Sequence, residues 1–503
     1  MRILLLTLVN LVIATGIGSS YRFEDASLSV QITGGLVRGV IDSQLPSVRQ
    51  FLGIPYAQPP IGGLRFAAPQ PAGQFGTINA TSLPLSCPQT FSNASGTIYS
   101  NYVLEFNLQG LNYTAPTSED CLKLSVWAPT EMPQDGGLPV LIFIYGGGFG
   151  TGGMDVPYQI PAQWVQRTQD HIVVTFNYRV NIFGFPGSAA LPADGFNLGL
   201  LDQRLAVEWV AANIAAFGGD PDRMILWGQS AGAASAAVYG YSYPDDPLVR
   251  GLIQDSGTEA LVGSLHPEQV ASNFSFVAAN LGCEGLDPTE ELACMRQVPA
   301  DDIENFLLAY SVAGKTPSLS FSPVVDEKLV FSNWSERALT GNIAKIPAIM
   351  GTNKDEGAFM PYDPTDPAQV AVFNQTLQGV FLCPAVMSTK IRAAAGLETY
   401  RYRYSGNFSN ISPTNWLGAY HSSELPLLMG THPNFRGNST PEEYALSTFM
   451  QDAWVAFARD GGAALEALGW PRYDNSTADG LIMQLGQGDT DHTDTADWLE
   501  QRC

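Results

Sequence analysis

Three short runs in this 503-residue chain are apolar at every position but Thr175, and they restrict the fold more than any other feature. Val140–Tyr145 ends abruptly at Gly146-Gly147-Gly148, Ile172–Phe176 is rich in β-branched residues, and Met224–Trp227 ends at Gly228. A strand with one wet face alternates polar and apolar residues. A strand that is apolar throughout is buried on both faces, as in a parallel sheet. Between the second and third runs, Leu198, Leu201, Leu205, Trp209 and Ala212 recur at helical spacing, which predicts a helix with one apolar stripe. Gly218-Gly219 stops that helix, and Asp220-Pro221 turns the chain into the next strand. Strand, helix and strand in this order predict an α/β fold with a largely parallel central sheet flanked by helices.

Composition sets the scale and the partners. Hydrophobic residues make up 45% and aromatics 11%, enough for a large core and too much for wholesale disorder. No repeat, low-complexity block or charged linker divides the chain, so one catalytic domain is expected over residues 21–503. Lys and Arg total 25 against 48 for Asp and Glu, a net charge of −23. Such a surface repels phosphate backbones and anionic headgroups, which excludes nucleic acid as a partner.

The N-terminus reads as a secretory signal. Met1-Arg2 is followed by the mostly apolar run from Ile3 to Ile17 and by the small residues Gly18, Ser19 and Ser20. The run is shorter than the roughly 20 residues needed to span a bilayer, so cleavage near residues 18–20 is expected rather than a stable membrane anchor. The C-terminal tail Trp498–Cys503 matches neither a lipid-anchor signal nor an ER-retention tetrapeptide. Six cysteines in an oxidising compartment imply three disulfides, and Cys283 and Cys294 are close enough to staple a small loop. No CxxC or HxxxH spacing offers a metal site. Ten Asn-x-Ser/Thr sequons occur, at Asn79, Asn93, Asn112, Asn273, Asn333, Asn374, Asn407, Asn410, Asn438 and Asn475, and with the signal they predict a glycosylated, extracellular protein.

The most specific local motif is Gly228-Gln229-Ser230-Ala231-Gly232. An apolar strand precedes it and the small-residue stretch Ala231–Ala237 follows, the strand–turn–helix setting of a nucleophile elbow. The flanking glycines let the chain turn sharply with the serine strained and its hydroxyl exposed. Gly146–Gly150 offers consecutive backbone N–H groups for an oxyanion hole. The competing use, a phosphate cradle, lacks the GxxxxGK[ST] pattern.

A base and an orienting acid must follow. In α/β hydrolases the order is Ser, then Asp or Glu, then His, which leaves His266, His421, His432 and His492 and sets aside His171. Asp355-Glu356-Gly357 follows the apolar run Ile346–Gly351 at a strand end, where such sites form. With that acid, His266 lies too early. Periodicity alone leaves His421 and His432 open as bases, and Asp355 and Glu356 open as acids.

Phe51–Pro60, Leu64-Arg65-Phe66, Ser118–Leu122, Tyr145–Phe149, Asn177-Tyr178-Arg179, Phe217–Pro221, Asn353–Gly357 and Ala419–Glu424 together resemble the type-B carboxylesterase/lipase family, which includes cholinesterases and fungal lipases. The resemblance covers nearly the whole chain after the signal. It implies the α/β-hydrolase fold, Ser230 as nucleophile, Glu356 as orienting acid and His421 as base. It also implies oxyanion donors from Gly147, Gly148 and Ala231, with no cofactor. Ser256 and Glu424 match family positions as supporting residues. The bridges implied are Cys87–Cys121 and Cys283–Cys294, with Cys383–Cys503 resting on the resemblance of Cys503 to the family's late cysteine.

The chain departs from the family at two places. Gln229 stands where a glutamate is usual before the nucleophile, and Leu111 stands where cholinesterases carry a choline-binding tryptophan. Cation–π capture of choline is therefore not expected. The expected activity is hydrolysis of neutral carboxylic esters through an acyl-enzyme, and the alternative is a triacylglycerol lipase or sterol esterase with a lid loop. In the similar lipases the Cys87–Cys121 loop is a lid; here it holds Phe91, Tyr99, Tyr102, Phe106 and Tyr113. Two further readings are a non-catalytic adhesion protein, which the intact Ser230, Glu356 and His421 oppose, and a serine carboxypeptidase-like enzyme.

Overall fold

The computed structural model describes residues 21–22, 26–89, 116–131, 136–192, 195–263, 265–357, 363–414, 416–434, 436–474, 480–496 and 501–503. The signal segment, the loop aromatics, Leu111, Asn93, Asn112 and Asn475 lie outside them.

Among the described residues the molecule is built on a 12-stranded sheet. At its heart, Ile172–Phe176, Leu138–Ile144, Gly219–Gln229, Gly251–Asp255, Ala348–Asn353, Thr399–Tyr404 and Leu481–Gln487 run parallel in that spatial order. The three apolar runs lie in adjacent strands, and every position of Ile172–Phe176, Gly251–Asp255 and Ala348–Asn353 is buried. Chain of that kind survives only between two covering layers. The helices Ala231–Ser242 and Pro441–Asp460 both pack on the central strands. Lys123–Pro129 and Val48–Pro55 extend the sheet antiparallel on one side, and Asp489–Thr495 closes the other. A small separate sheet joins Ser29–Ile32, Gly35–Arg38 and Gly76–Asn79.

The predicted helix spans Leu198–Asn213, but only Leu198 and Trp209 of the predicted stripe lie on its buried face. Leu201 and Leu205 are only half-buried and Ala212 is exposed, whereas Asp202, Gln203, Ala206, Val207 and Val210 face inward. Two polar residues can occupy that face because each has a buried partner. Asp202 takes Arg179 Nε and Nη2 at 2.8 and 2.7 Å, and Gln203 donates to Ser235 Oγ at 3.0 Å. Hydrophobic spacing cannot register such pairs.

Three disulfides join Cys87 to Cys121, Cys283 to Cys294 and Cys383 to Cys503, and no cysteine is free. The first closes a separation of 34 residues, worth about 3–4 kcal/mol in the chain-entropy model. The ends of that loop are also pinned at Glu304, whose carboxylate accepts from Gln89 N and from the Thr117 hydroxyl. Burial pushes the Glu304 carboxyl up to about 7. The Leu64–Phe66 and Ser118–Leu122 motifs meet through Arg65, which grips Glu119 with both Nε and Nη2 at 2.6 Å.

Among the described residues, Pro367–Ala394 is a helical run long and apolar enough to cross a membrane by length and composition. A π-helical segment, Leu377–Leu382, interrupts it and turns Val380 and Phe381 into the pocket beside Ser230.

Candidate active site

The strand Gly219–Gln229 runs directly into the helix Ala231–Ser242, with Ser230 as the single residue between them at φ 58, ψ −123. A non-glycine residue there is strained, and the surroundings hold it in place. Ser230 N donates to Asp255 O at 2.8 Å. The glycines of the motif make the crossing possible. A Cβ on Gly228 would lie 2.2 Å from Gly232 C, and one on Gly232 would lie 2.0 Å from Ile144 O. The helix begins at Ala231, so unpaired N–H groups and the positive end of the helix dipole sit beside the serine.

The glycine loop after Leu138–Ile144 backs onto this turn, close enough that a Cβ on Gly146 would sit 2.8 Å from Ser230 Cβ. Gly147 and Gly148 take φ 110 and 63, and Gly147 O accepts from Gly150 N and Thr151 N at 3.1 Å each. A side chain at Gly147 would strike Thr151 O at 2.3 Å.

Ser230, Ala231, Gly147, Gly148 and His421 line one pocket of about 490 Å³. Its other walls are largely apolar and aromatic, from Phe149, Val156, Tyr158, Leu261, Val380 and Phe381, and no described lining residue is a carboxylate. The Phe381 ring lies 4.7 Å from the His421 ring. Burial raises the Tyr158 hydroxyl to about 12, so it remains neutral.

Of the five histidines only His421 reaches this pocket. Its Nδ1 lies 2.6 Å from Glu356 Oε2, and its Nε2 lies 3.2 Å from Gln229 Nε2. An amide NH₂ can only donate, so the arrangement fits the neutral tautomer with Nδ1–H toward Glu356 and the Nε2 lone pair accepting from the Gln229 amide. A carboxylate at position 229 could not donate to that lone pair. His432 is elsewhere, its Nδ1 2.7 Å from Ser439 Oγ, with its imidazole pushed down to about 4 by burial. His171 is buried against Trp164, and His266 and His492 are exposed on other surfaces.

The two carboxylates left open by the sequence have different tasks. Glu356 is fully buried, with one oxygen on His421 and the other accepting Asn353 N at 2.7 Å. Asp355 points away and accepts Ala419 N at 3.0 Å. It therefore tethers the strand end to the segment that carries His421.

Below the histidine lies an acidic cluster that no spacing in the sequence announces. Glu424 is fully buried and accepts from Asn353 Nδ2, so Asn353 bridges it to Glu356. Burial holds the Glu424 carboxyl well above the carboxylate range, with Asp255 and Glu356 adding to the shift. Asp255 accepts from Trp227 Nε1 and from the Tyr402 hydroxyl, yet burial still raises it to about 7. A raised carboxyl binds its proton more tightly when folded. The stability it contributes is present at low pH and lost as pH rises from the ordinary carboxylate range through about 7. Ser256 is buried at φ 55, and its hydroxyl makes no hydrogen bond among the described residues.

Among the described sequons, Asn79, Asn333, Asn374, Asn407 and Asn438 are exposed. Asn273 and Asn410 are 4% exposed, and their amides are committed to Ser320 O and to His432 O. The described residues hold no group of three metal-ligating side chains.

Comparison with known proteins now bears on this geometry. The carboxylesterase family model matches residues 26–378 and 363–498. The chain is 46% identical over 477 residues to a chlorogenic acid esterase of Aspergillus niger, covering 91% of each chain. It is 42% identical over 488 residues to secreted lipase 5 of Gibberella zeae, covering 92% of this chain and 91% of the lipase. It is 30% identical over 522 residues to a mouse cholinesterase, covering 91% of this chain and 83% of the other. With a family match over most of its length and relatives of this identity, the chain belongs to the carboxylesterase family and is a carboxylic ester hydrolase.

Proposed function

We propose that this chain is a secreted serine esterase on the α/β-hydrolase fold, one catalytic domain after a cleaved signal, in which Ser230, His421 and Glu356 act as nucleophile, base and orienting acid. The observation that carries the reading is the 2.6 Å contact between His421 and Glu356 in the pocket that also holds strained Ser230. His421 Nε2 takes the proton from Ser230 Oγ as that oxygen attacks the ester carbonyl. The N–H groups of Gly147, Gly148 and Ala231 receive the charge that develops on the carbonyl oxygen. The C–O bond then breaks, the leaving alcohol takes the proton from His421, and an acyl-enzyme remains. Water attacks it with His421 again as base, releasing the acid and restoring Ser230. Secretion rests on the N-terminal pattern, the three disulfides and the name of the Gibberella relative.

An alanine at Gly147 tests the oxyanion assignment. Its Cβ would collide with Thr151 O, and φ 110 is closed to an L side chain. The loop would have to move, with an expected loss of about 10²–10³ in kcat. Unchanged kcat in single-turnover measurements would assign the charge to other donors.

The pocket favours neutral esters with an apolar or aromatic acyl group. Relatives are named a chlorogenic acid esterase and a secreted lipase. Each methylene buried contributes about 0.8 kcal/mol. Along a p-nitrophenyl series, kcat/KM is expected to rise by up to about fifteenfold from acetate to butyrate. With Gln229 in place of a carboxylate, butyrylcholine is expected to be a poorer substrate than an uncharged butyrate ester of matched leaving group. The net charge of −23 concentrates cations nearby, but surface charge is screened beyond about 8 Å at physiological salt. Tenfold faster turnover of the choline ester would move the enzyme toward the cholinesterases. Hydrolysis of peptides but not of esters would favour the carboxypeptidase reading.

A further inference from the structure

Six of the eight residues 146–153 are glycine. A stretch so rich in glycine has little stiffness of its own, yet backbone donors stabilise an oxyanion only if their direction is set before the charge develops. The direction must therefore be imposed from outside the loop, and the segment 85–89 runs alongside it. Met154 N donates to Asn177 Oδ1 at 2.9 Å, while Asn177 Nδ2 donates to Leu85 O at 3.0 Å. Ser86 Oγ donates to Asp155 Oδ1 at 2.8 Å.

Gln89, which is buried, makes the tightest of these connections. Its Oε1 accepts Gly152 N at 2.7 Å, and its Nε2 donates to Gly152 O at 2.8 Å and to Cys87 O at 2.9 Å. The partners fix the way the amide faces, because an N–H can meet only its oxygen and two carbonyls can meet only its NH₂. The clamp stands on an anchored base: Gln89 N donates to the Glu304 carboxylate, and Cys87 is bonded to Cys121. Gly152 itself has no slack. A Cβ there would lie 2.4 Å from the Tyr145 ring and 2.6 Å from Gly146 O. The residue before it carries the effect onward, since Thr151 N donates to Gly147 O at 3.1 Å. In a trans peptide the C=O and the N–H that follows point in opposite directions. With Gly147 O held by Thr151 and Gly150, the Gly148 N–H is aimed the other way.

Building on the esterase reading above, we propose that Gln89 is a positioning residue for ester hydrolysis: by clamping Gly152 it holds Thr151 N on Gly147 O and so sets the direction in which the Gly148 N–H meets the oxyanion. Gln89 is not among the residues that line the catalytic pocket, so it acts through the loop and not on the substrate. The Cys87–Cys121 bridge and Glu304 serve the same end, as the footing of the clamp.

The test is steady-state and single-turnover hydrolysis of p-nitrophenyl butyrate by wild type, Gln89→Ala and Gln89→Glu, with thermal unfolding as a check on folding. Gln89→Ala should lower kcat by about 10- to 100-fold, the scale of a catalytic group displaced by about 1 Å. KM should stay nearly unchanged, because no contact to the substrate is lost. Acylation and deacylation should slow together, since each passes through an oxyanion. Gln89→Glu keeps the shape of the side chain. Ionised, it sets a negative oxygen against the carbonyls of Gly152 and Cys87 and close to Glu304, and kcat should fall as in the alanine variant. Protonated, its O–H can donate to Gly152 O while its other oxygen accepts Gly152 N. Its kcat relative to wild type should therefore recover severalfold as the pH falls from about 8 to about 5. Glu304 is present in both enzymes and is matched in that ratio. If Gln89→Ala does not fold, the pH dependence of the Gln89→Glu ratio carries the test. An unchanged kcat, a loss confined to KM, or a ratio flat with pH overturns the positioning role. Failure of the esterase reading is separately visible: p-nitrophenyl butyrate hydrolysis that survives Ser230→Ala refutes the nucleophile whatever Gln89 does.

Discussion

Replacing Ser230 by alanine is expected to lower ester turnover by about 10⁶, because nucleophile and base act as one unit and neither is useful alone. The fold should persist. The substitution removes only Oγ, while the backbone at φ 58 is held by Ser230 N on Asp255 O and by the close crossing of Gly228 and Gly232. The check is kcat on a p-nitrophenyl ester, together with near-UV circular dichroism of the purified variant. A native spectrum with a few per cent of activity retained would assign the attack to a different oxygen.

The second large effect separates the two adjacent carboxylates. Glu356→Gln should cost about 10⁴ in kcat, the scale seen when a triad acid becomes an amide. The new NH₂ can face Nδ1 of His421 only if that nitrogen gives up its proton. The proton then sits on Nε2, which can no longer accept one from Ser230. Asp355→Asn should change kcat by only a few-fold, since an amide oxygen can still accept from Ala419 N. Equal losses in the two variants would mean that Glu356 does not set the tautomer.

The serine turn and the glycine loop were written in short contiguous stretches and were legible for that reason. A strand, a Gly-x-Ser-x-Gly turn and a small-residue helix lie within about twenty consecutive positions, and local sterics fix the bend whatever surrounds it. The choice between His421 and His432 was not local. Both follow the acid in sequence, and the spacing of apolar residues says nothing about which imidazole returns to the sheet edge. The resemblance to known esterases pointed to His421; in the structure the segment Ala419–Glu424 folds back so that Asp355 and Glu356 each bond to it.

The inward face of Leu198–Asn213 shows where hydrophobic patterning fails. An apolar stripe marked the helix, yet of it only Leu198 and Trp209 are buried, and the inward face also holds Asp202 and Gln203 because Arg179 and Ser235 meet them there. Those partners lie 23 and 32 residues away. The same limit hid the strand Lys123–Pro129, whose burial comes from its neighbours Val48–Pro55 and Ile172–Phe176.

By itself, the sequence determined the buried parallel strands, the strained serine turn, the glycine loop and the acidic surface, because each depends on residues a few positions apart. Only the tertiary structure decided which carboxylate faces His421, that Gln229 donates toward its Nε2, that Asn353 joins Glu356 to Glu424, and that Val380 and Phe381 wall the pocket from a π-helical turn. Those relations are made between residues far apart in the chain, where loop closure and packing, rather than local propensity, choose the partners.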